Sequence, residues 1–211
     1  MKIGVMGGTF DPIHLGHLRA AEEVRVSFGL EKVVMVPVNI PPHKRDFKIS
    51  SAEDRLNMVR MAITGNEAFE VSDVEIQRGG ISYTLDTVFE FKKNYGEVYY
   101  LIGVDAFHEI DTWYMYEELF YHTNFIVMAR PSKRTFLGLE SFPLKVREKM
   151  VDLGENTYRH VSSNMTYVIW VTQLDISSSK IREYVKKGIS IKYLVPPQVE
   201  EYIKERGLYK E

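Results

Sequence analysis

Short apolar runs alternate with amphipathic stretches along the whole chain. Lys2 to Met6 reads as a strand, and Leu15 to Phe28 repeats its apolar positions at helical spacing. Lys32 to Val38, KVVMVPV, has the unbroken apolar character of a strand buried on both faces. Ser51 to Ile63 reads as a helix, with Ser51 as its N-cap and Asp54 at the capping-box position. Alternation predicts a strand over Phe69 to Ile76. Thr84 to Lys93 is helical, and Val98 to Ile102 is a further buried strand followed by a helical stretch through Leu119. Asn124 to Ala129 reads as a strand, Leu144 to Leu153 as a helix and Tyr167 to Val171 as a strand. Helices over Ile176 to Lys187 and Pro197 to Glu205 close the pattern. Strands separated by helices imply βαβ units around a parallel sheet, hence one doubly wound α/β domain over residues 1–211. Ligands of such folds bind beyond the carboxyl ends of the strands, so the strand-to-helix loops are where chemistry is expected.

Composition narrows the classes. With 45% apolar and 27% charged residues, the 211-residue chain has the material for an ordinary globular core. A net charge of −2 offers no broad basic surface for nucleic acid, so any anion site must be local. The absence of cysteine removes disulfides and thiolate metal sites and fits a reducing compartment. Only Lys2 precedes the first apolar run, no small-residue cleavage site follows it, and no apolar stretch is long enough for a bilayer. These features predict a cytoplasmic protein with no membrane partner.

Five loops carry unusual residues. GGTFDPIHLGH leaves the first strand. Gly7 and Gly8 let backbone amides approach a ligand, and the following helix start suits a phosphate. His14 and His17, one turn apart with Gly16 between, can face one anion. They are equally readable as surface histidines on a glycine turn, or as a zinc pair; only Asp11 lies close enough to add a ligand, and nothing else completes a metal site. The loop is neither GxGxxG nor GxxxxGK[ST]. VNIPPHKRDF leaves the second strand, stiffened by Pro41 and Pro42 and tipped by His43, Lys44 and Arg45. GGISYTLDT places Ser82 or Thr84 to cap a helix and Tyr83 to wall a pocket. IGVDAFHEIDTWYMY sets Gly103 and Asp105 where a ribose or metal can be met, and offers Trp113 and Tyr114 either to the core or to a heteroaromatic ring. DISSSKIRE combines serine hydroxyls, a helix start, Lys180 and Arg182, as a second anion site or a capped helix with surface charges.

Taken together, these loops resemble the nucleotidyltransferases that carry an HxGH motif, here His14-Leu15-Gly16-His17, paired with the late ISSSKIR. More closely, GGTFDPIHLGH, IPPHK, SYTLDT, IGVDAF with the later tryptophan, and the closing YLVPPQVEEYIKERGLY resemble the bacterial nicotinate-nucleotide adenylyltransferase family over essentially the whole chain. The family more often has threonine where Ser179 stands, and a hydroxyl remains. The resemblance implies a Rossmann-like nucleotidyltransferase fold with a mostly parallel sheet. It also implies a reaction in NAD biosynthesis: ATP, with Mg²⁺, and nicotinate mononucleotide give deamido-NAD and pyrophosphate. By the same resemblance, Gly7, Gly8, Thr9, Phe10, His14, His17, Gly103, Asp105, Ile176, Ser177, Ser178 and Arg182 would meet ATP. His14, His17, Lys44 and Arg182 would neutralise the phosphates, and Lys44, Tyr83, Thr84, Trp113 and Tyr114 would hold the mononucleotide. No protein-bound metal is expected, and many similar enzymes assemble, so a homo-oligomer stays open. Such chemistry needs alignment and charge cover more than a general base. Sister enzymes acting on phosphopantetheine or glycerol phosphate share the HxGH turn, but SYT and Trp113 speak against them. A non-catalytic nucleotide sensor lacks the need for cationic cover, and a dehydrogenase would want GxGxxG in the first loop.

Overall fold

The central strands are buried along their length, and alternate side chains join two separate cores. In the computed structural model, which describes residues 1–42, 49–129 and 138–210, eight strands form one sheet. They are β1 (Lys2–Gly8), β2 (Lys32–Pro37), β3 (Phe69–Val71), β4 (Glu97–Gly103), β5 (Asn124–Ala129), β6 (Met150–Asp152), β7 (Thr157–His160) and β8 (Met165–Trp170). Their order is β3-β2-β1-β4-β5-β8-β7-β6. The run from β3 to β8 is parallel, while β7 and β6 are antiparallel additions at one edge. The helices are α1 (Leu15–Phe28), α2 (Ala52–Ile63), α3 (Val74–Arg78), α4 (Thr84–Asn94), α5 (Val104–Phe107), α6 (Tyr116–His122), α7 (Leu144–Arg147), α8 (Ser178–Lys186) and α9 (Pro197–Arg206). None of them is long and apolar enough to cross a membrane.

Val5, Val34, Val36, Tyr100, Ile102, Phe125 and Val127 pack with α4, α5 and α6 on one face. Their strand neighbours Met6, Val33, Met35, Leu101, Ile126 and Met128 pack with α1, α2, α8 and α9 on the other. Helices on both faces of a parallel sheet make the fold doubly wound, as the pattern predicts. The strand order reverses between β1 and β4, which opens a crevice at their carboxyl ends.

Local signals hold where they are short-range. The α1 and β5 bounds match the sequence pattern, and Ser51 caps α2, its Oγ accepting from the Asp54 N–H at 3.0 Å. Four expectations need correction. The strand predicted over Phe69 to Ile76 stops at Val71. The Ser72–Asp73 turn starts α3 there, because the Asp73 carbonyl accepts the Gln77 N–H at 2.8 Å, and this turn brings Glu75 inward. The helix predicted over Leu144 to Leu153 ends at Arg147, and Met150–Asp152 pairs instead with β7, a strand that the sequence pattern did not show. The reason is a turn of left-handed residues, Gly154 (φ 82°), Glu155 (φ 50°) and Asn156 (φ 57°), which reverses the chain. The helical stretch through Leu119 is broken into α5, a 3₁₀ turn at Ile110–Thr112 and α6, with Met115 left-handed before α6. Finally, neither Ser82 nor Thr84 caps α4; its N-cap is Tyr83, with no side-chain bond. The Ser82 hydroxyl accepts the Asn39 N–H at 2.8 Å instead.

Candidate active site: two cavities on one floor

β1 runs to Gly8, two residues beyond the predicted end, so the glycine pair lies in the strand rather than in the loop. Space dictates both residues. A Cβ on Gly7 would stand 2.5 Å from the Tyr100 hydroxyl, and one on Gly8 would stand 2.8 Å from the Phe10 ring. The chain then turns through Phe10, left-handed at φ 48° and buried, to His14, the extended N-cap of α1.

The two histidines form one unit. Their rings stack with centroids 3.6 Å apart, and the edge of the His17 ring meets Phe10 at 5.2 Å. The His14 backbone N–H donates to His17 Nδ1 at 3.2 Å. A backbone amide can only donate, so Nδ1 must be the acceptor and the neutral His17 ring carries its proton on Nε2. A Cβ on Gly16 would press on the His14 ring at 3.1 Å, which is why that position is bare.

These residues line a cavity of about 360 Å³, together with Met6, Gly7, Gly8, Gly103, Met128, Ile176, Ser177 and Ser178. The amino ends of α1 and α8 face each other across it. The Ser178 hydroxyl donates to the Pro12 carbonyl at 2.9 Å, tying one helix start to the other. Ser177 caps α8, its Oγ accepting the Lys180 N–H at 3.3 Å. Among the described residues, no lysine or arginine lines this cavity. What it offers an anion is two helix amino ends and the His17 Nε2–H.

A second cavity, of about 510 Å³, opens on the other side of the same floor. Met6, Gly7, Gly8, Gly103 and Met128, at the carboxyl ends of β1, β4 and β5, line both. Thr9, Pro41, Pro42, Ser82, Tyr83, Thr84, Tyr100, Trp113 and Tyr114 wall the second one. Tyr83 packs against Tyr114 with centroids 4.5 Å apart, and Trp113 meets Tyr100 edge-on at 6.2 Å. Tyr114 is exposed, while Trp113 is half-buried. Full burial pushes the Tyr100 hydroxyl well above the usual tyrosine value, so it stays a neutral donor; the Thr84 hydroxyl lies 3.5 Å away.

The two cavities thus gather most of the residues the sequence singled out in the two expected groups, except that Thr9, expected at ATP, lines the second cavity. Three others line neither among the described residues. Lys44 lies outside the described residues, as do His43 and Arg45. Asp105 is exposed on the first turn of α5 and is not among the residues lining either cavity. Arg182, expected over the phosphates, is turned to the loop before α1 instead. Its Nη1 donates to the Asp11 carbonyl at 2.7 Å and stands 4.0 Å from the Asp11 carboxylate. Asp11 is buried, and its Oδ1 also accepts from the Tyr209 hydroxyl at 2.7 Å. It is a strut between the first loop and the end of the chain. The three serines likewise do not all face an anion, since Ser179 accepts from Arg182 Nη2 at 3.4 Å.

Sequence reasoning missed Arg55. It is fully buried in α2 and donates to four backbone carbonyls: Ser50 at 3.1 Å, Thr9 at 3.0 Å, Val38 at 2.6 Å and Asn39 at 2.9 Å. It thereby ties the loop after β1 to the loop after β2. The signal was present: Arg55 stands three and four residues before the buried Met58 and Val59, on the apolar stripe of its helix.

The chain is similar to known proteins over nearly its whole length. The cytidylyltransferase-like family matches residues 5–184. A protein of Desulfatibacillum aliphaticivorans, named "Probable nicotinate-nucleotide adenylyltransferase", is 45% identical over 99% of this chain and all of its own length. A protein of the same name from Pelobacter propionicus is 44% identical, covering 100% of this chain and 99% of its own. Among solved structures, the Plasmodium falciparum nicotinic acid mononucleotide adenylyltransferase complexed with NaAD superposes with a TM-score of 0.75 at 23% identity, covering 99% of this chain and 97% of that one. At that identity the likeness speaks for the fold.

Proposed function

The chain belongs to the nicotinate-nucleotide adenylyltransferases of the cytidylyltransferase-like family, and from that membership we propose how its two cavities divide the reaction. ATP and nicotinate mononucleotide are joined into deamido-NAD, and pyrophosphate leaves. The observation that carries this division is the shared floor: two ligand-sized cavities meet at Gly7, Gly8 and Gly103, at the point where the strand order reverses.

ATP occupies the cavity under His14 and His17, with its phosphates between the amino ends of α1 and α8. The mononucleotide occupies the cavity walled by Tyr83, Thr84, Trp113 and Tyr114. Its phosphate oxygen, already an anion at neutral pH, forms the new bond to the α-phosphorus. The bond from that phosphorus to the bridging oxygen breaks, and the electron pair leaves with pyrophosphate. No side chain needs to remove a proton. Charge grows on the leaving pyrophosphate, and the His17 Nε2–H and the helix amides act on it. Lys44 is proposed to add a cation from the loop after β2.

Among the described residues no group of three or more His, Asp or Glu side chains could hold a metal ion. Mg²⁺ would enter with the substrate, carried on the ATP phosphates. Arg182 takes a supporting role, because its bond to the Asp11 carbonyl holds the loop that leads into the HxGH turn. Residues 1–211 act as one domain. The cysteine-free composition fits a cytoplasmic enzyme with small-molecule substrates and no nucleic acid. A homo-oligomer is read by mass in solution.

Pyrophosphate release from Mg·ATP tests the reading, run with nicotinate mononucleotide, nicotinamide mononucleotide and phosphopantetheine in parallel. Release is expected with the first. Release with phosphopantetheine alone would move the chain to a sister reaction, and release with none would leave a nucleotide-binding module. Trp113→Ala tests the acceptor cavity separately. Loss of the ring should weaken the mononucleotide by about 1–3 kcal/mol, the scale of base–aromatic stacking, and leave the KM for ATP within twofold. An unchanged mononucleotide KM would return Trp113 to a packing role against the core.

A further inference from the structure

One buried acid stands outside every step above. Glu75, on the first turn of α3, is only 4% exposed. Its Oε1 accepts from the Thr87 hydroxyl at 2.5 Å, its Oε2 is buried with no hydrogen-bond partner in the structure, and the nearby Ser82 hydroxyl favours the charged form of the carboxyl group. These two residues bracket Tyr83 and Thr84, the start of α4 and the wall of the acceptor cavity.

Resting on the acceptor-cavity reading, we infer that Glu75 is the positioning residue of that cavity: its buried bond to Thr87 ties the first turn of α4 to α3 and holds Tyr83 and Thr84 where the mononucleotide meets them.

The hydrogen-bond directions single out the Thr87 bond. The Thr87 oxygen accepts from Arg78 Nη2 at 3.1 Å, and its proton goes to Glu75 at 2.5 Å, with the Tyr83 carbonyl a longer second acceptor at 3.5 Å. The chain of bonds therefore runs within α3 and from it to the first turn of α4, and ends on the carboxyl group. Such a directed network strengthens itself in a dry site. The N-cap of α4, Tyr83, makes no side-chain capping bond and packs on Tyr114, so the buried bond to Thr87 is a main tie of this helix start to α3. Burial raises the affinity of Glu75 for a proton, although both hydroxyls and Arg78 oppose the shift. Glu75 is a support for the contacting groups, which need their own fixed neighbours to stay in productive geometry.

Glu75→Gln tests the inference. It keeps the size but replaces the charged acceptor of the Thr87 hydroxyl with a neutral amide. The KM for nicotinate mononucleotide should rise tenfold or more. The KM for Mg·ATP and kcat should stay within twofold, and the preference for nicotinate over nicotinamide mononucleotide should shrink. Thr87→Val, which keeps the shape and removes one hydroxyl, should give a smaller shift of the same kind, and combining the two should cost less than the product of the single effects. If Glu75→Gln does not fold, Thr87→Val carries the test alone through the same split in KM. A mononucleotide KM unchanged in a folded variant overturns the inference, as does an equal rise in both KM values, which would mark general loosening. A raised mononucleotide KM in Trp113→Ala beside an unchanged one in Glu75→Gln removes Glu75 only. An unchanged value in Trp113→Ala, or no wild-type turnover of this acceptor, removes the acceptor reading itself.

Discussion

His17→Ala should lower kcat by a hundredfold or more while the KM for ATP changes little. Removing one preorganised donor from a developing anion costs about 10²–10³ in rate. Here the replacement cover is thin, because no lysine or arginine lines the ATP cavity among the described residues. His17 is also preorganised: the His14 N–H on Nδ1 and the stacked His14 ring hold it in place without help from substrate. The same bond complicates the alanine variant, which also frees a backbone donor at the start of α1. His17→Asn separates the two effects. Its side-chain oxygen can stand where Nδ1 stands, and it has nothing at the place of Nε2. Melting temperature should recover in His17→Asn and kcat should not. Recovery of kcat would assign the imidazole to helix capping and take it out of the transition state. The measurement is steady-state pyrophosphate release at saturating substrates, with thermal melting of both variants.

Arg55→Met should destabilise the fold by roughly 3–5 kcal/mol. Two terms oppose each other. Burial lowers the pKa of the guanidinium, so its charge is costly where it sits and its removal recovers part of that cost. Against this, the substitution abandons four carbonyls at once, those of Thr9, Val38, Asn39 and Ser50. A buried acceptor left without a partner costs about 1–3 kcal/mol, and a broken buried charged network about 3–5. The second term wins because four acceptors share one donor group and methionine supplies none. For a chain of this size the loss corresponds to about 6–20 °C in Tm. Urea unfolding at constant m reads it directly, and a loss below about 1 kcal/mol would mean that water or backbone shifts satisfy the carbonyls. Arg55→Lys should fall between, since one ammonium cannot fork across loops after both β1 and β2.

What was legible depended on the range of the physics. The HxGH turn could be read because glycine, proline, histidine and helix start follow one another within a few residues, and the backbone there answers to local sterics and helix-end electrostatics. The hairpin of β6 and β7 was missed although Gly154, Glu155 and Asn156 mark its turn, because a short amphipathic stretch satisfies a helical period and a strand period alike. Lys44 lies outside the described residues, and the bond of Arg182 to the Asp11 carbonyl was not legible because the two lie 171 residues apart in the chain.

By itself, then, the sequence determined the alternation of strands and helices, the two-faced burial of the central strands, the loops that carry chemistry and the family resemblance, since each of these is written in neighbouring residues. Only the tertiary structure decided which of those loops share a cavity, that Gly7, Gly8 and Gly103 form a floor common to two of them, and that Arg55, Glu75, Asp11 and Tyr209 hold the walls. Those contacts join residues far apart in the chain. A polar side chain looks the same in sequence whether solvent or a buried partner satisfies it, and the fold alone chooses between the two.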